Sequence, residues 1–199
     1  MARKIDPEQH EGKRQEILAA AHLCFLRHGL QGASISMICK EAGMSPGHLY
    51  HYFPSKEAII EQMADDYLAA LHGHFGGHGK ETPTATVLLS ELWSMSGWDD
   101  LSHCRILFEL LAEAGRNPRI HAILRDNTDG IRDLLTATLA TGQARGEVDP
   151  SLDPRHTSAV LVAVLDAAPM LPLMTEGLDF EESRKLITTM VSRFLRPQS

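Results

Sequence analysis

The sequence predicts an all-α protein of about nine helices, with a three-helix N-terminal head and a C-terminal helical bundle as body. Three observations predict it. Apolar residues recur at three- and four-residue intervals along most of the chain. No stretch alternates apolar and polar residues as a half-buried strand does. Helix starts are also legible. Ser45-Pro46, Thr82-Pro83, Asn117-Pro118 and Asp153-Pro154 each pair a capping residue with a proline, whose missing N–H costs nothing in a first turn.

Residues 1–12 are polar, contain Pro7 and Gly12, and read as a flexible arm whose Arg3 and Lys4 can reach a minor groove. The first helix is expected from Lys13 to His28, with Ile17, Ala20, Ala21, Cys24, Phe25 and His28 on one face and Gly29 as its breaker. Ser34 caps a second helix carrying Ile35, Ile38, Cys39 and Ala42, and Gly43 supplies the left-handed residue that ends it. Ser45 and Pro46 start a short third helix that stops at Phe53, before Pro54. Two short helices around a glycine corner describe a helix-turn-helix, whose second helix enters the DNA major groove. Residues 13–56 are therefore assigned as a DNA-binding head and 57–199 as the body. Ser55 caps the fourth helix, expected to reach Phe75 with Ile59, Ile60, Met63, Tyr67, Ala70 and Leu71 as a core stripe. That helix joins head to body, so any movement of the body passes through it.

The run His72-Gly-His74-Phe-Gly-Gly-His78 breaks the helical pattern and reads as a glycine-rich loop. Its histidines can bind zinc or nickel, but no acid or cysteine completes a set, so no metal site is expected. Further helices are expected from Thr82-Pro83 to Met95, from Ser102 to Ala114, and from Asn117-Pro118 to the region Gly142–Gly146. The eighth opens at Asp153-Pro154 and includes VLVAVLDAAPMLPLM, apolar nearly all round. The ninth opens at Asp179, where Asp179 and Glu182 suit a capping box. One small core cannot cover the eighth and ninth helices on all sides. A second copy forming a four-helix bundle can, through Val162, Leu165, Ile187, Met190, Val191 and Phe194.

Net charge is −7 over 199 residues, which at first disfavours nucleic acid. The charge is uneven: residues 1–56 hold seven basic and five acidic side chains, and the remainder twelve and twenty-one. A mildly basic head on an acidic body suits local DNA contact by the head, with modest non-specific affinity because few phosphates are neutralised. No stretch is expected to approach the ~18 apolar residues of a membrane span, and MARKIDPEQHEGKR has no secretory apolar run. Cys24, Cys39 and Cys104 are scattered and odd in number. The first two read as small buried hydrophobes, which fits a reducing cytoplasm.

The segment A-G-M-S-P-G-H-L-Y-H-Y-F-P-S-K, residues 42–56, resembles the signature of TetR-family transcriptional repressors, a capped short helix followed by Tyr-x-Tyr/His-Phe and Ser-Lys. The likeness covers roughly residues 13–60 and continues beyond them in helix layout. It implies a homodimeric, ligand-responsive repressor that leaves a palindromic double-stranded DNA operator when a small-molecule effector binds, with no cofactor. By the same resemblance Ser34, Ser36, Ser45, Gly47, His48, Tyr50, His51 and Lys56 face DNA, with Lys56 on phosphate, while Tyr52 and Phe53 pack into the head. The family often has threonine where this chain has Ser34; either hydroxyl can cap and donate. Phe108-Glu-Leu-Leu-Ala-Glu-Ala-Gly-Arg-Asn-Pro resembles the body of the choline-responsive, betaine-pathway repressors, hinting at a cationic or acyl effector.

No serine-hydrolase, P-loop or dinucleotide-binding pattern is present, and no catalytic residue is expected. Glu109 and Glu113, one turn apart, suit a salt-bridged face better than a catalytic pair. Asp166 stands inside the apolar eighth helix, where a buried carboxylate needs a partner. It is read either as an effector-pocket acid or as a capping or inter-subunit hydrogen-bonding group. Trp93, Trp98, Phe108, Met170 and Met174 can line an apolar effector pocket with it. The alternative function is an all-α metal-dependent enzyme or binding protein using His72, His74 and His78.

Overall fold

The computed structural model describes residues 7–79, 81–94 and 102–197. The helices are α1 (Pro7–Gly32), α2 (Ile35–Glu41), α3 (Pro46–Tyr52), α4 (Lys56–Gly77), α5 (Thr84–Ser94), α6 (Ser102–Ala114), α7 (Pro118–Ala144), α8 (Pro154–Ala167), α9 (Leu171–Met174) and α10 (Phe180–Leu195), with a 3-10 turn, Ala168–Met170, between α8 and α9. No strand occurs among the described residues.

Two local expectations change. The chain is already helical at Pro7, so residues 7–12 belong to α1 and not to an arm; proline is accepted in a first turn. The histidine run is also helical as far as Gly77, because tertiary contacts at His74 and His78 outweigh the poor helix propensity of three glycines. Both ends of the sequence's long eighth helix hold, but its middle does not. Pro169 and Pro172 cannot donate to Leu165 and Ala168, and the chain tightens into the 3-10 turn before α9.

The chain divides into two units, one of residues 1–65 and 105–124, the other of 66–104 and 125–199, rather than at residue 56. The reason lies in the core of the first unit. Ile17, Ala21, Phe25, Ile38, Leu49, Phe53 and Ile59 form it, and Ile120 and Ile123 of α7 are buried among them, with Ile106 and Leu110 of α6 packed alongside. Cys24 and Cys39 are buried here, and burial pushes both thiols above their usual range.

The end of α1 is held by charges from two other helices. Gly29 turns the chain at φ 70, ψ 170, a conformation open essentially to glycine. The Leu30 N–H donates to a carboxylate oxygen of Glu109, and Lys56 Nζ donates to the Leu30 carbonyl at 2.8 Å and the Ala33 carbonyl at 3.3 Å. Glu109 also pairs with Arg105 at 3.1 Å, and Glu113 with Arg116. The two carboxylates are thus structural, as their spacing suggests.

In the second unit Leu88, Leu135, Leu139, Val148, Leu161, Ile187, Val191 and Leu195 form the core. Glu147 accepts from both the backbone N–H and the hydroxyl of Thr84 at 2.7 Å, capping α5, and those bonds hold its carboxyl below the usual range. A Cβ on Gly142 would lie 2.5 Å from Thr84 Oγ1 and 2.7 Å from Val148 Cγ2, so α7 needs glycine there to let α5 approach.

The 21-residue segment Pro154–Met174, whose most apolar 18-residue window has a mean hydropathy of 1.7, is long and apolar enough to cross a membrane by length and composition, contrary to the sequence reading. Here Thr157, Ser158, Leu161, Ala168 and Pro169 are buried within the chain, so one side of the segment packs on the core while a third of its apolar window is covered, and prolines break its helix.

Gly29→Ala is expected to cost about 1–3 kcal/mol, because alanine is strained at that φ and ψ. Gly12→Ala, in an open helical position, should gain up to about 1 kcal/mol. Urea unfolding of the two variants beside the parent checks both signs.

Candidate nucleic-acid interface

The first unit presents α2 and α3 as a capped pair. Ser34 Oγ accepts from the Met37 N–H at 3.2 Å, and Ser45 Oγ from the His48 N–H at 3.3 Å. Each hydroxyl hydrogen remains able to donate to an anion at a helix N-terminus, where the peptide dipoles favour negative charge. Gly43 adopts φ 64 between the two helices. Leu49 is buried on the inner side of α3 and Phe53 just past its end, under the Arg14 guanidinium, 4.6 Å from the ring centroid.

Ser34, Ser36, Ser45, Gly47, His48, Tyr50 and His51 are all exposed, and half of the Tyr50 surface is free, at 50%. A phenol, two imidazoles and three hydroxyls offer donors and acceptors to base edges and phosphates, and Gly47 adds no side chain to hinder approach. Tyr52 is half-buried, with His10 at 4.8 Å, His48 at 5.4 Å and His51 at 5.7 Å between ring centroids. His10 was missed in the sequence because residues 1–12 read as an arm; the helical start at Pro7 puts it beside the recognition helix.

Lys56 does not stand with the exposed set. Its half-buried ammonium is bonded to the Leu30 and Ala33 carbonyls, which leaves one hydrogen for a phosphate.

The expected effector residues are not brought together in either unit. Phe108 belongs to the first unit; Asp166, Met170 and Met174 belong to the second. Met174 is 75% exposed, Met170 is half-buried, and Trp98 and the Trp93 side chain lie outside the described residues. Asp166 is not the buried acid expected from its apolar helix: it is exposed, since α8 turns that side outward. The surrounding protein still removes enough water from the carboxyl to push it up to about 6.

The expected interface residues also divide. Ile187 and Val191 are buried in the core of their own unit and are not available as surface; Val162 and Leu165 are half-buried against that core. Met190 and Phe194 are exposed, joined by Leu186 on α10 and Val160 on α8.

Comparison with known proteins decides the family. Residues 17–63 match the family model for bacterial regulatory proteins of the tetR family, and residues 89–196 match the C-terminal model of BetI-type transcriptional repressors. The chain belongs to the tetR family. Consistently, it is 30% identical over 150 residues to the HTH-type transcriptional regulator UidR of Escherichia coli K12, covering 75% of this chain and 76% of that one. It is 28% identical over 153 residues to the HTH-type transcriptional repressor KstR2 of Mycolicibacterium smegmatis, covering 74% and 73%. Among solved structures, Salmonella enterica GusR superposes with a TM-score of 0.77 at 27% identity, over 92% of this chain and 95% of that one. A putative transcriptional regulator from Saccharomonospora viridis, solved in complex with choline, shares the fold with a TM-score of 0.68 at 18% identity, over 94% and 100%. This tetR-family chain is a DNA-binding transcriptional regulator, of a family whose members are typically ligand-responsive repressors.

Two outcomes follow from the geometry. Lys56→Met is expected to lower stability by on the order of 1–2 kcal/mol, less than a fully buried charged hydrogen bond because the site is half open. Denaturant midpoints in the absence of DNA measure it. For Asp166 the folded carboxyl lies above its unfolded value, so the folded chain is disfavoured above pH ~6 and relieved as pH falls toward ~4. Asp166→Asn should therefore raise the melting temperature above pH 6 and leave it unchanged near pH 4, in thermal melts from pH 4 to 8.

Proposed function

We propose that the protein is a repressor that binds a palindromic operator as a homodimer and is released from it by a small molecule. The observation that carries the reading is the exposed set on α2 and α3, from Ser34 to His51, backed by the buried Leu49 and Phe53. Two such faces related by a two-fold axis would enter major grooves about 34–36 Å apart. Dimerisation is supported by the exposed apolar strip Val160, Leu186, Met190 and Phe194, in which the last three follow one another at four-residue steps on α10.

The effector is assigned to the second unit, and the BetI-type match over residues 89–196, together with Asp166 on α8, favours a cationic small molecule. Such a ligand must prefer one conformer over the other. About 5.5 kcal/mol of preference turns a 1:99 balance into 99:1. α4 carries the change, since Lys56–Asp65 belong to the first unit and Asp66–Gly77 to the second. Release in the cytoplasm follows from a DNA target. Among the described residues no third His, Cys, Asp or Glu joins His74 and His78 in a metal-binding group, and the reading has no enzymatic step.

Operator selection from random DNA, followed by binding of Tyr50→Ala to the selected site, tests the reading. Tyr50 is half exposed and lies outside the buried core, so the variant should nearly keep its melting temperature and lose roughly 5- to 150-fold in operator affinity, in line with about 1–3 kcal/mol per specific contact. Undiminished binding by Tyr50→Ala, or failure of selection to enrich an inverted repeat, would overturn it.

A further inference from the structure

At the end of α4 three donor atoms close into a triangle. His74 Nε2 lies 2.9 Å from Ser90 Oγ, His78 Nε2 lies 3.0 Å from the same oxygen, and the two imidazole nitrogens are 3.2 Å apart. His74 stands in the last turn of α4 and His78 one residue past its end. Ser90 comes from α5, and all three residues belong to the second unit. The two rings meet edge to face, with centroids 4.9 Å apart and planes 80° to one another. All three side chains are half-buried.

The hydrogens of this triangle are constrained. Ser90 Oγ donates to the Val87 carbonyl at 2.7 Å, so toward the imidazoles it acts as an acceptor. Each Nε2 carries a proton or offers a lone pair according to its tautomer, and with both deprotonated two nitrogens and an oxygen would turn their lone pairs toward one point. A proton on either Nε2 engages some of these lone pairs. A metal ion would engage all three. With Zn–N and Zn–O bonds of roughly 2.0–2.2 Å, the edge of a tetrahedral zinc site is about 3.3–3.5 Å. The observed separations need to open by only a few tenths of an ångström. Among the described residues no group of three or more His, Cys, Asp and Glu side chains converges, so an ion held here would have to take the serine oxygen or water in its remaining positions.

We propose that His74, His78 and Ser90 form a binding site for a divalent transition-metal ion of the zinc class. Two imidazoles and an oxygen suit zinc, nickel or copper and not magnesium or calcium. The ion would displace the Nε2 proton and fasten the end of α4 to α5. The assignment stands on the triangle alone and does not depend on the DNA reading.

The test uses the full chain without an affinity tag and zinc chloride as the probe, with competition against a chromophoric chelator and cobalt(II) as the spectroscopic substitute. The parent should bind one ion per chain and melt at a higher temperature when it is present. Cobalt(II) should give the intense visible bands of a tetrahedral centre. His74→Gln and His78→Gln should each weaken binding at least tenfold, Ser90→Ala more modestly, and His72→Gln not at all. Melting curves without metal establish that each variant is folded. The proposal fails if the His74→Gln/His78→Gln double variant binds as the parent does, if His72→Gln loses as much as either, or if cobalt(II) gives only octahedral bands.

Discussion

The corner at Gly29 is the constraint on which the first unit depends. A helix end leaves backbone groups without intrahelical partners, and burying them without new ones would cost more than the packing of α1 returns. Here a carboxylate from α6 accepts from the Leu30 N–H while an ammonium from α4 donates to the Leu30 and Ala33 carbonyls. Opposite charges from two distant parts of the sequence therefore meet at one turn. This is why α6 and the start of α7 are grouped with the DNA-reading helices and not with the rest of the body, and why Ile120 and Ile123 share their core.

What was legible in the sequence was what the sequence decides locally. Ser34, Gly43, Ser45 and Asp179 act on backbone groups within four residues, and each caps or turns as its chemistry suggests. The outward row of α3 was equally readable, because a seven-residue helix anchored by Leu49, with Tyr52 half-buried, leaves its other residues outside. The histidine run was not readable. Its glycines argue locally for a loop, whereas its helical course is stabilised by a serine on another helix. Glu109 lies 79 residues from the N–H it accepts, and no spacing rule reaches so far.

Lys56 and Asp166 show how a charged residue's surroundings exceed what its local context suggests, although Lys56 keeps one hydrogen for a phosphate. Lysine at the start of a helix suits phosphate, yet the nearest unpaired acceptors are the chain's own carbonyls. An acid in an apolar helix suggests burial, yet α8 keeps an uncovered side, and Asp166 and Val160 are both exposed. Periodicity gives the apolar content of a helix but not how much of its circumference the same chain covers. Ile187 and Val191 went inward where Met190 and Phe194 did not, a division that only the packed structure reveals.

The recognition helix, PGHLYHY, carries neither lysine nor arginine. It presents imidazoles and a phenol, with serine hydroxyls at its N-cap and on α2 beside it, groups that can discriminate among bases without a strong pull toward every phosphate. Chromosomal DNA is a vast excess of decoys, and a regulator's free concentration is set by how firmly those decoys hold it. On the proposed reading, a regulator with such a face would lose little of its population to the wrong sites, and few molecules would suffice to keep an operator occupied.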